Sequence, residues 1–235
     1  MKKKRKAPGL ATILNRKKLI NQTVILKDDD ICNFGFIEGN GKTGNDGGIV
    51  SEILIWSLPA GITCPGASSY CRKVCYAAEK KEYEINNLKM FLNNREELHK
   101  YINEKLENTG KKVAVRIHSA GDFFSREYIE FWHEIVTENP HILFWTYTKS
   151  WRIRELAIYI EKLDMLQNIN IYYSWDRTMG EYLLKHKRAI LTKTIKTNTE
   201  QKEVICPEQY ELVHGCAECG ICFFNQKRDV IFYLH

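Results

Sequence analysis

The 235-residue sequence predicts an α/β protein with a parallel sheet, either open or a partial (β/α) barrel, that ends in a cysteine-rich metal-binding segment. The first observation behind this prediction is an alternation of β-branched and amphipathic segments between residues 113 and 192, with repeats of about 25 to 30 residues. The second is that 44% of the residues are hydrophobic, which is enough for one full core. The third is that seven of the eight cysteines fall into two groups.

The elements are predicted in chain order from hydrophobic periodicity and from breaker residues. The predicted strands cover residues 49–58, 113–118, 142–148, 169–174, 189–192 and 204–205. Helices are predicted for residues 77–108, 125–138, 152–163 and 182–187. Ser125 has the residue type of an N-cap, and Asn139 with Pro140 ends the helix that Ser125 begins. About five or six strands are too few for a closed eight-stranded barrel.

The chain is predicted to divide into three parts: a basic N-terminal arm and helix at 1–18, an α/β core at 19–205, and a cysteine-rich segment at 206–235 packed on that core. The arm contains eight Lys and Arg residues and no acid, so the rest of the chain has a net charge of −2. The run Lys2–Lys6 suits the phosphates of DNA or RNA, and a solvated tail is the alternative. No apolar run approaches the roughly 18 to 20 residues of a membrane helix, and the basic start lacks an apolar signal region. A cytoplasmic protein without membrane contact is therefore expected.

The cysteines are predicted to bind metal, because eight thiols in a reducing compartment are typical of ligands rather than disulfides. The first cysteine group is Cys64, Cys71 and Cys75, and the second cysteine group is Cys206, Cys216, Cys219 and Cys222. Four thiolates close the coordination shell of a zinc ion or a cluster, whereas three leave a position open for chemistry. The residues alone leave zinc and iron–sulfur open, and zinc would require a fourth ligand for the first group, for which His118, His214 and His235 compete. Cys32 stands alone and is predicted to be a buried thiol.

Polar side chains recur at the carboxyl ends of the predicted strands, where parallel α/β proteins place their functional groups. The catalytic candidates at these ends are His118, Asp122, Lys149 and Asp176. The candidates for binding a small-molecule cofactor are Ser119, Thr148, Ser174 and Trp175. A helix cap or a turn is the alternative role for each of them, and for Asp122 above all.

Several segments match one family pattern in combination. They are residues 58–67, Cys71-x3-Cys75-Tyr76-Ala77, residues 116–125, Phe144-Trp145-x-Tyr147-Thr148-Lys149-Ser150, Ser174-Trp175-Asp176, and Cys206-Pro207-Glu208-Gln209 with the closing Cys-x2-Cys-x2-Cys-Phe. Together they resemble the phage gene-product-88 family, a group from phages and mobile elements. The resemblance covers about residues 40 to 235 and leaves the basic arm outside.

A looser similarity is to radical S-adenosylmethionine proteins, through Cys75-Tyr76-Ala77 and the segments 122–125 and 147–150. In those proteins a Cys-x3-Cys-x2-Cys loop after the first barrel strand holds a [4Fe-4S] cluster by three irons, and the fourth iron binds S-adenosylmethionine. The spacing Cys64-x6-Cys71-x3-Cys75 departs from that pattern. The similarity implies an open-site [4Fe-4S] cluster on the first cysteine group and bound S-adenosylmethionine. The count of seven thiolates also fits a closed second cluster on the other group.

Two functions are therefore predicted side by side. One is an iron–sulfur enzyme of a phage or mobile element, similar to radical S-adenosylmethionine enzymes. The other is a nucleic-acid-binding protein, replicative or regulatory, whose zinc or iron–sulfur sites are structural, and an iron–sulfur enzyme acting on DNA or RNA would combine the two. The aromatic candidates for stacking on bases are Trp145, Tyr147, Trp151 and Trp175. For Trp145, in the middle of a predicted strand, burial in the core is the preferred interpretation.

Overall fold

A computed structural model describes residues 33–39, 48–109, 112–180, 186–192, 203–224 and 228–233. Within these ranges eight strands form one sheet in the order β1-β2-β3-β4-β5-β6-β8-β7. The strands are β1 (Ile37–Glu38), β2 (Glu52–Trp56), β3 (Val113–Ile117), β4 (Leu143–Thr148), β5 (Ile169–Asp176), β6 (Arg188–Thr192), β7 (Glu203–Ile205) and β8 (Asp229–Tyr233). Only β1 is antiparallel to its neighbour; all other neighbouring strands run parallel. The prediction of a mostly parallel α/β sheet is confirmed.

The helices of the described ranges are α1 (Ser69–Lys73), α2 (Glu82–Asn93), α3 (Arg95–Glu107), α4 (Arg126–Glu138), α5 (Arg154–Asp164) and α6 (Cys216–Cys219). Ser125 caps α4 as predicted, because its hydroxyl accepts a hydrogen bond from the Tyr128 backbone N–H, and Asn139 ends the helix. None of the helices in these ranges is long and apolar enough to cross a membrane.

The two faces of the sheet carry different layers, since successive side chains of a strand point to opposite faces. On β3, Val115 and Ile117 pack with the buried faces of α2, α3, α4 and α5 in one core. Ala114 lies in the second core, on the opposite face, together with Trp145 and with residues 206–224, which we call the C-terminal segment. Trp145 is 1% exposed, so its predicted burial is confirmed and it has no free face for a base.

The strands β2 to β6 lie side by side in chain order, and α2 to α5 all pack on one face. A doubly wound sheet would reverse its strand order and place helices on both faces, whereas the wall of a (β/α) barrel keeps chain order. All five strands point the same way, so their carboxyl ends line up along one edge of the sheet. This edge carries the segments that the sequence singles out.

Two predictions about the elements are wrong. The single helix predicted for 77–108 is two helices, α2 and α3, because Asn94 leaves the helical conformation at φ −129° and ψ 48°. The break lets both helices turn an apolar face to the same core. The strand count of five or six is also too low, because the short β1 and the C-terminal β8 add to the sheet. The basic arm, Cys32 and most of the helix predicted for 182–187 lie outside the described residues.

Candidate functional site

The cysteine loop, residues 64–76, follows β2 and is fastened first to the end of β5. Ser68 is the N-cap of α1, and its Oγ accepts a hydrogen bond of 2.9 Å from the Cys71 backbone N–H. The same hydroxyl donates to Asp176 Oδ2 over 2.5 Å. Asp176 is fully buried at the last position of β5 and also accepts from the Thr178 backbone N–H. The position of Cys71 is thus coupled through one hydroxyl to a buried carboxylate.

A second attachment joins the loop to the end of β4. The backbone of Gly66 lies so close to the Lys149–Ser150 peptide that a Cβ at residue 66 would be 1.9 Å from the Lys149 carbonyl oxygen. On the other side of this contact, Arg152 Nη1 donates to the Gly66 carbonyl oxygen over 2.8 Å. Glycine is therefore required at position 66 by close approach to a rigid peptide.

A third attachment joins the loop to the end of β3. The hydroxyl of Tyr76, directly after Cys75, donates a short hydrogen bond to the Ser119 carbonyl oxygen. The ring of Tyr76 is otherwise 80% exposed, beside the first cysteine group. The loop is therefore held by three neighbouring strand ends in addition to the strand that it follows.

The ends of β3 and β4 are in turn joined to each other by Asp122. Its buried carboxylate accepts hydrogen bonds from Thr148 Oγ1 at 2.6 Å, from the Lys149 backbone N–H at 2.8 Å and from the Phe123 backbone N–H at 2.7 Å. Burial raises the pKa of Asp122, and the hydrogen bonds from Thr148 and Lys149 oppose this shift. Both carboxylate oxygens are thus occupied in supporting the peptide on which Gly66 rests.

The thiols of the first cysteine group lie close enough to influence one another. Burial raises the pKa of Cys64 to about 12, and the charges of Asp122, Cys71 and Cys75 act in the same direction. The Gly61 backbone N–H opposes this shift by donating to Cys64 Sγ over 3.4 Å. Burial also raises the pKa of Cys71, against the effect of the Lys149 ammonium. Without a metal, the thiols of Cys64 and Cys71 are protonated at neutral pH, while the Gly61 N–H and the Lys149 ammonium, which favour a thiolate, are already in place.

His118 lies at the end of β3 in a left-handed conformation, with φ 71°. Its buried ring packs edge-on against Phe123, and Nε2 is 3.1 Å from the Tyr128 hydroxyl. Burial, with a smaller contribution from Arg116, lowers the pKa of His118 to about 3. The imidazole is therefore neutral at physiological pH. Its other ring nitrogen, Nδ1, is buried and has no hydrogen-bond partner among the described residues.

The four residues predicted to bind a small molecule all lie on this edge of the sheet. The Thr148 hydroxyl is used within the protein, as donor to Asp122 and as acceptor from the Ser150 backbone N–H. The Ser174 carbonyl accepts from Trp151 Nε1 at 3.1 Å, and Trp175 Nε1 donates to the Gly180 carbonyl at 2.8 Å. The Ser119 carbonyl holds Tyr76, as described above.

The second cysteine group lies on the other face of the sheet, where its four members line one pocket. Cys206 and Cys222 are buried, whereas Cys216 and Cys219 are partly exposed. Burial raises the pKa of Cys222 to about 12, and a hydrogen bond from the Tyr147 hydroxyl opposes it. Burial raises the pKa of Cys219 as well, against a hydrogen bond from the Ile221 backbone N–H. Hydrogen-bond donors therefore face sulfur atoms in both groups.

The C-terminal segment is attached to the sheet by carbonyl hydrogen bonds and by apolar packing. Asn170, on β5, donates to the carbonyl oxygens of Cys222 at 2.8 Å and Phe224 at 3.0 Å. Ala217 and Phe223 are buried in the second core, where the ring of Phe223 lies 5.3 Å from that of Trp145. The segment thus forms the cover of this face of the sheet.

Beyond the two cysteine groups, most of the chain matches a known protein family. The profile of the family described as "Gene product 88" matches residues 34–227. The chain belongs to this family. Two curated relatives are the "Gene 88 protein" of Mycobacterium phage L5 and the protein of the same name from Mycobacterium phage D29. Each is 29% identical to this chain, and each alignment covers 79% of the chain and 87% of the relative.

No solved structure matches this family member. The names of its relatives say nothing of iron, zinc, S-adenosylmethionine or nucleic acid. Within the described ranges, no three His, Cys, Asp or Glu side chains meet as the ligands of one metal ion. Of the histidines that compete as a fourth ligand, His118 faces Tyr128, His214 donates its backbone N–H to Glu218, and His235 lies outside the described residues.

Sequence reasoning missed the residues that position the cysteine loop of this family member, which are Gly66, Ser68, Tyr76 and Arg152. Two of them carried a local signal: a serine three residues before Cys71 fits an N-cap, and a glycine after Cys64-Pro65 fits a close approach. Tyr76 and Arg152 carried none, because their partners are backbone carbonyls far away in sequence.

Proposed function

We propose that this protein is an iron–sulfur enzyme with an open-site [4Fe-4S] cluster on Cys64, Cys71 and Cys75 and a closed second cluster on Cys206, Cys216, Cys219 and Cys222. One observation carries the proposal. Three thiols whose charges act on one another lie on a loop that the carboxyl ends of adjacent parallel strands hold in place, which is where α/β proteins place their chemistry. Four further thiols line a single pocket on the adjoining face.

The donor set fits such clusters. Thiolates are the usual ligands of iron–sulfur clusters, and hydrogen bonds to their sulfur atoms tune the reduction potential. The Gly61 N–H at Cys64, the Ile221 N–H at Cys219 and the Tyr147 hydroxyl at Cys222 are donors of this kind. A bound cluster supplies one-electron redox chemistry and, where one iron lacks a thiolate, a site for a small molecule.

The chain's own residues would orient and hold that small molecule. S-adenosylmethionine carries a carboxylate, and the Lys149 ammonium lies near Cys71, as its effect on the pKa of Cys71 shows. We assign Lys149 to that carboxylate. The half-buried Trp175 and the exposed Tyr76 offer aromatic faces beside the same loop. Asp122, Asp176 and Ser68 would act as positioning residues, since their oxygens are occupied by the hydrogen bonds that place the loop.

The experiment is an analysis of iron, acid-labile sulfide and zinc in protein purified without oxygen. Brown protein with about eight iron and eight sulfide per chain is expected. Replacing Cys64, Cys71 and Cys75 together by alanine should halve the iron and leave soluble protein. Replacing Cys216, Cys219 and Cys222 together is the matched variant for the other group. Colourless protein with stoichiometric zinc would contradict the proposal.

Binding of DNA or RNA is the second candidate function, and the unbroken run of basic residues from Lys2 to Lys6 favours it. The test replaces these five residues by Ser, which keeps the chain length, and measures affinity for a short duplex and a single strand over a salt series. A lower affinity with a shallower salt slope would assign phosphate contacts to the arm. Unchanged affinity and slope at matched salt would contradict that role.

A further inference from the structure

Arg116 is a charged residue within the core strand β3, between Val115 and Ile117. By the alternation of the strand it shares the face of Ala114, which the C-terminal segment covers. Its Nε is buried and has no hydrogen-bond partner among the described residues. Arg116 also forms no ion pair with a carboxylate in those ranges. Arg116 is partly buried as a whole, but a buried Nε of a cation without an anionic partner is costly, so its surroundings require an explanation.

The groups around Arg116 lead to the second cysteine group. The guanidinium carbon lies 5.6 Å from the centre of the Tyr147 ring, and the Tyr147 hydroxyl is hydrogen-bonded to Cys222. Burial acts to lower the pKa of Arg116, yet this pKa lies above its ordinary value. The neighbours responsible are two tyrosines and two cysteines: Tyr76, Tyr147, Cys216 and Cys222. Tyr147, Cys216 and Cys222 all pack in the second core, on the face of the sheet that Arg116 shares, so this cation lies beside thiols of the second cysteine group.

The negative charge of the second cysteine group with its metal bound would supply the anionic partner of Arg116. Four thiolates carry more negative charge than a divalent ion or an oxidised cluster core cancels, so the site remains anionic when it is filled. A cation held in a low-dielectric region stabilises such a site more strongly than it would in water. Reduction adds a further electron, so the reduced form gains more from the cation than the oxidised form.

We propose that Arg116 is the built-in counter-charge of the second cysteine group. The positive charge of Arg116 helps this group to retain its metal and raises the reduction potential of the metal centre. This inference rests on the proposed function, because it requires that Cys206, Cys216, Cys219 and Cys222 bind a metal centre. It goes beyond that function by assigning a role to a residue that is not a ligand. Arg116 also links β3 to both cysteine groups, because the charges of Tyr76 and of Cys222 both act on it. Tyr76 directly follows Cys75 of the first group, and Cys222 is the last member of the second group.

The experiment uses the full chain, purified without oxygen and carrying Cys71→Ala so that the first cysteine group does not contribute. Arg116→Met removes the charge at similar length, Arg116→Gln removes the charge but keeps a hydrogen-bond donor, and Arg116→Lys keeps the charge. Arg126→Met is the control for net charge, since Arg126 is an exposed residue of the helical layer paired with Glu130. The measurements are an EPR-monitored redox titration and the rate of metal loss to a chelator.

We expect Arg116→Met and Arg116→Gln to shift the reduction equilibrium at least tenfold towards the oxidised form. For a one-electron step this lowers the reduction potential by ~59 mV. Metal loss should be about tenfold faster in both. Arg116→Lys and Arg126→Met should stay within threefold of the parent protein. If Arg116→Met does not fold, Arg116→Gln against Arg116→Lys decides the question. A loaded second group whose potential and retention do not respond to Arg116→Gln would overturn this inference alone. A second group without metal in the unsubstituted protein would overturn the proposed function as well.

Discussion

The two cysteine groups are held in different ways. The cysteine loop is held by polar attachments, in which the Ser68 hydroxyl, the Gly66 backbone and the Tyr76 hydroxyl each meet a different strand end. The C-terminal segment is held mainly by burial, since Cys206, Ala217, Cys222 and Phe223 belong to the second core. The difference indicates that directional hydrogen bonds position the loop at the end of the sheet, whereas the C-terminal segment supplies part of the second core itself.

The largest expected effect contrasts Cys219→Ala with Cys71→Ala. Both side chains are partly exposed, so neither substitution removes much packing. Cys219→Ala should lower the stability of the protein by about 4 kcal/mol, or ~8–16 °C in Tm, because metal binding supplies folding free energy to a short segment. Cys71→Ala should change Tm little and abolish binding of S-adenosylmethionine. Thermal unfolding of both anaerobic proteins measures the contrast, and an equal loss of fold would make the first group structural.

A smaller effect is expected where the loop rests on β4. Gly66→Ala places a Cβ against the Lys149 peptide and should cost about 3 kcal/mol, with loss of iron from the first cysteine group only. Gly180→Ala is the matched control, because Gly180 has φ 83° but no atom within 4 Å of an added Cβ. That control should cost about 1 kcal/mol and leave the iron content unchanged. Equal iron loss in the two variants would show that the contact with Lys149 does not position the loop.

The smallest expected effect distinguishes a serine that only caps a helix from a serine that also positions the cysteine loop. Ser68 and Ser125 are both N-caps with a side-chain hydrogen bond to the helix backbone. Replacing either by alanine should lower the unfolding free energy by about 1 kcal/mol. Only Ser68→Ala should also weaken the first group, because only Ser68 connects Cys71 to Asp176. Iron content and S-adenosylmethionine affinity of the two variants test this, and indistinguishable values would contradict it.

Much of this architecture could be predicted from local patterns. The strands β3 to β5 and the caps of α4 follow from β-branched runs and from Ser125 and Asn139, which act within a few residues. The break at Asn94 could not be predicted, because neither glycine nor proline marks it and tertiary packing of two apolar faces decides it. The attachments of Gly66 and Tyr76 depend on strand order, which a single sequence does not contain. Arg116 did carry a signal, since a charge inside a core strand requires a partner.

The most direct test of the account is the EPR spectrum of the dithionite-reduced protein with and without S-adenosylmethionine. Two signals are expected. One is absent from Cys71→Ala and changes when S-adenosylmethionine is added, because the first cysteine group leaves a position open. The other is absent from Cys219→Ala and does not change, because four thiolates close that site. A spectrum that S-adenosylmethionine leaves unaltered in the fully loaded protein would contradict the account.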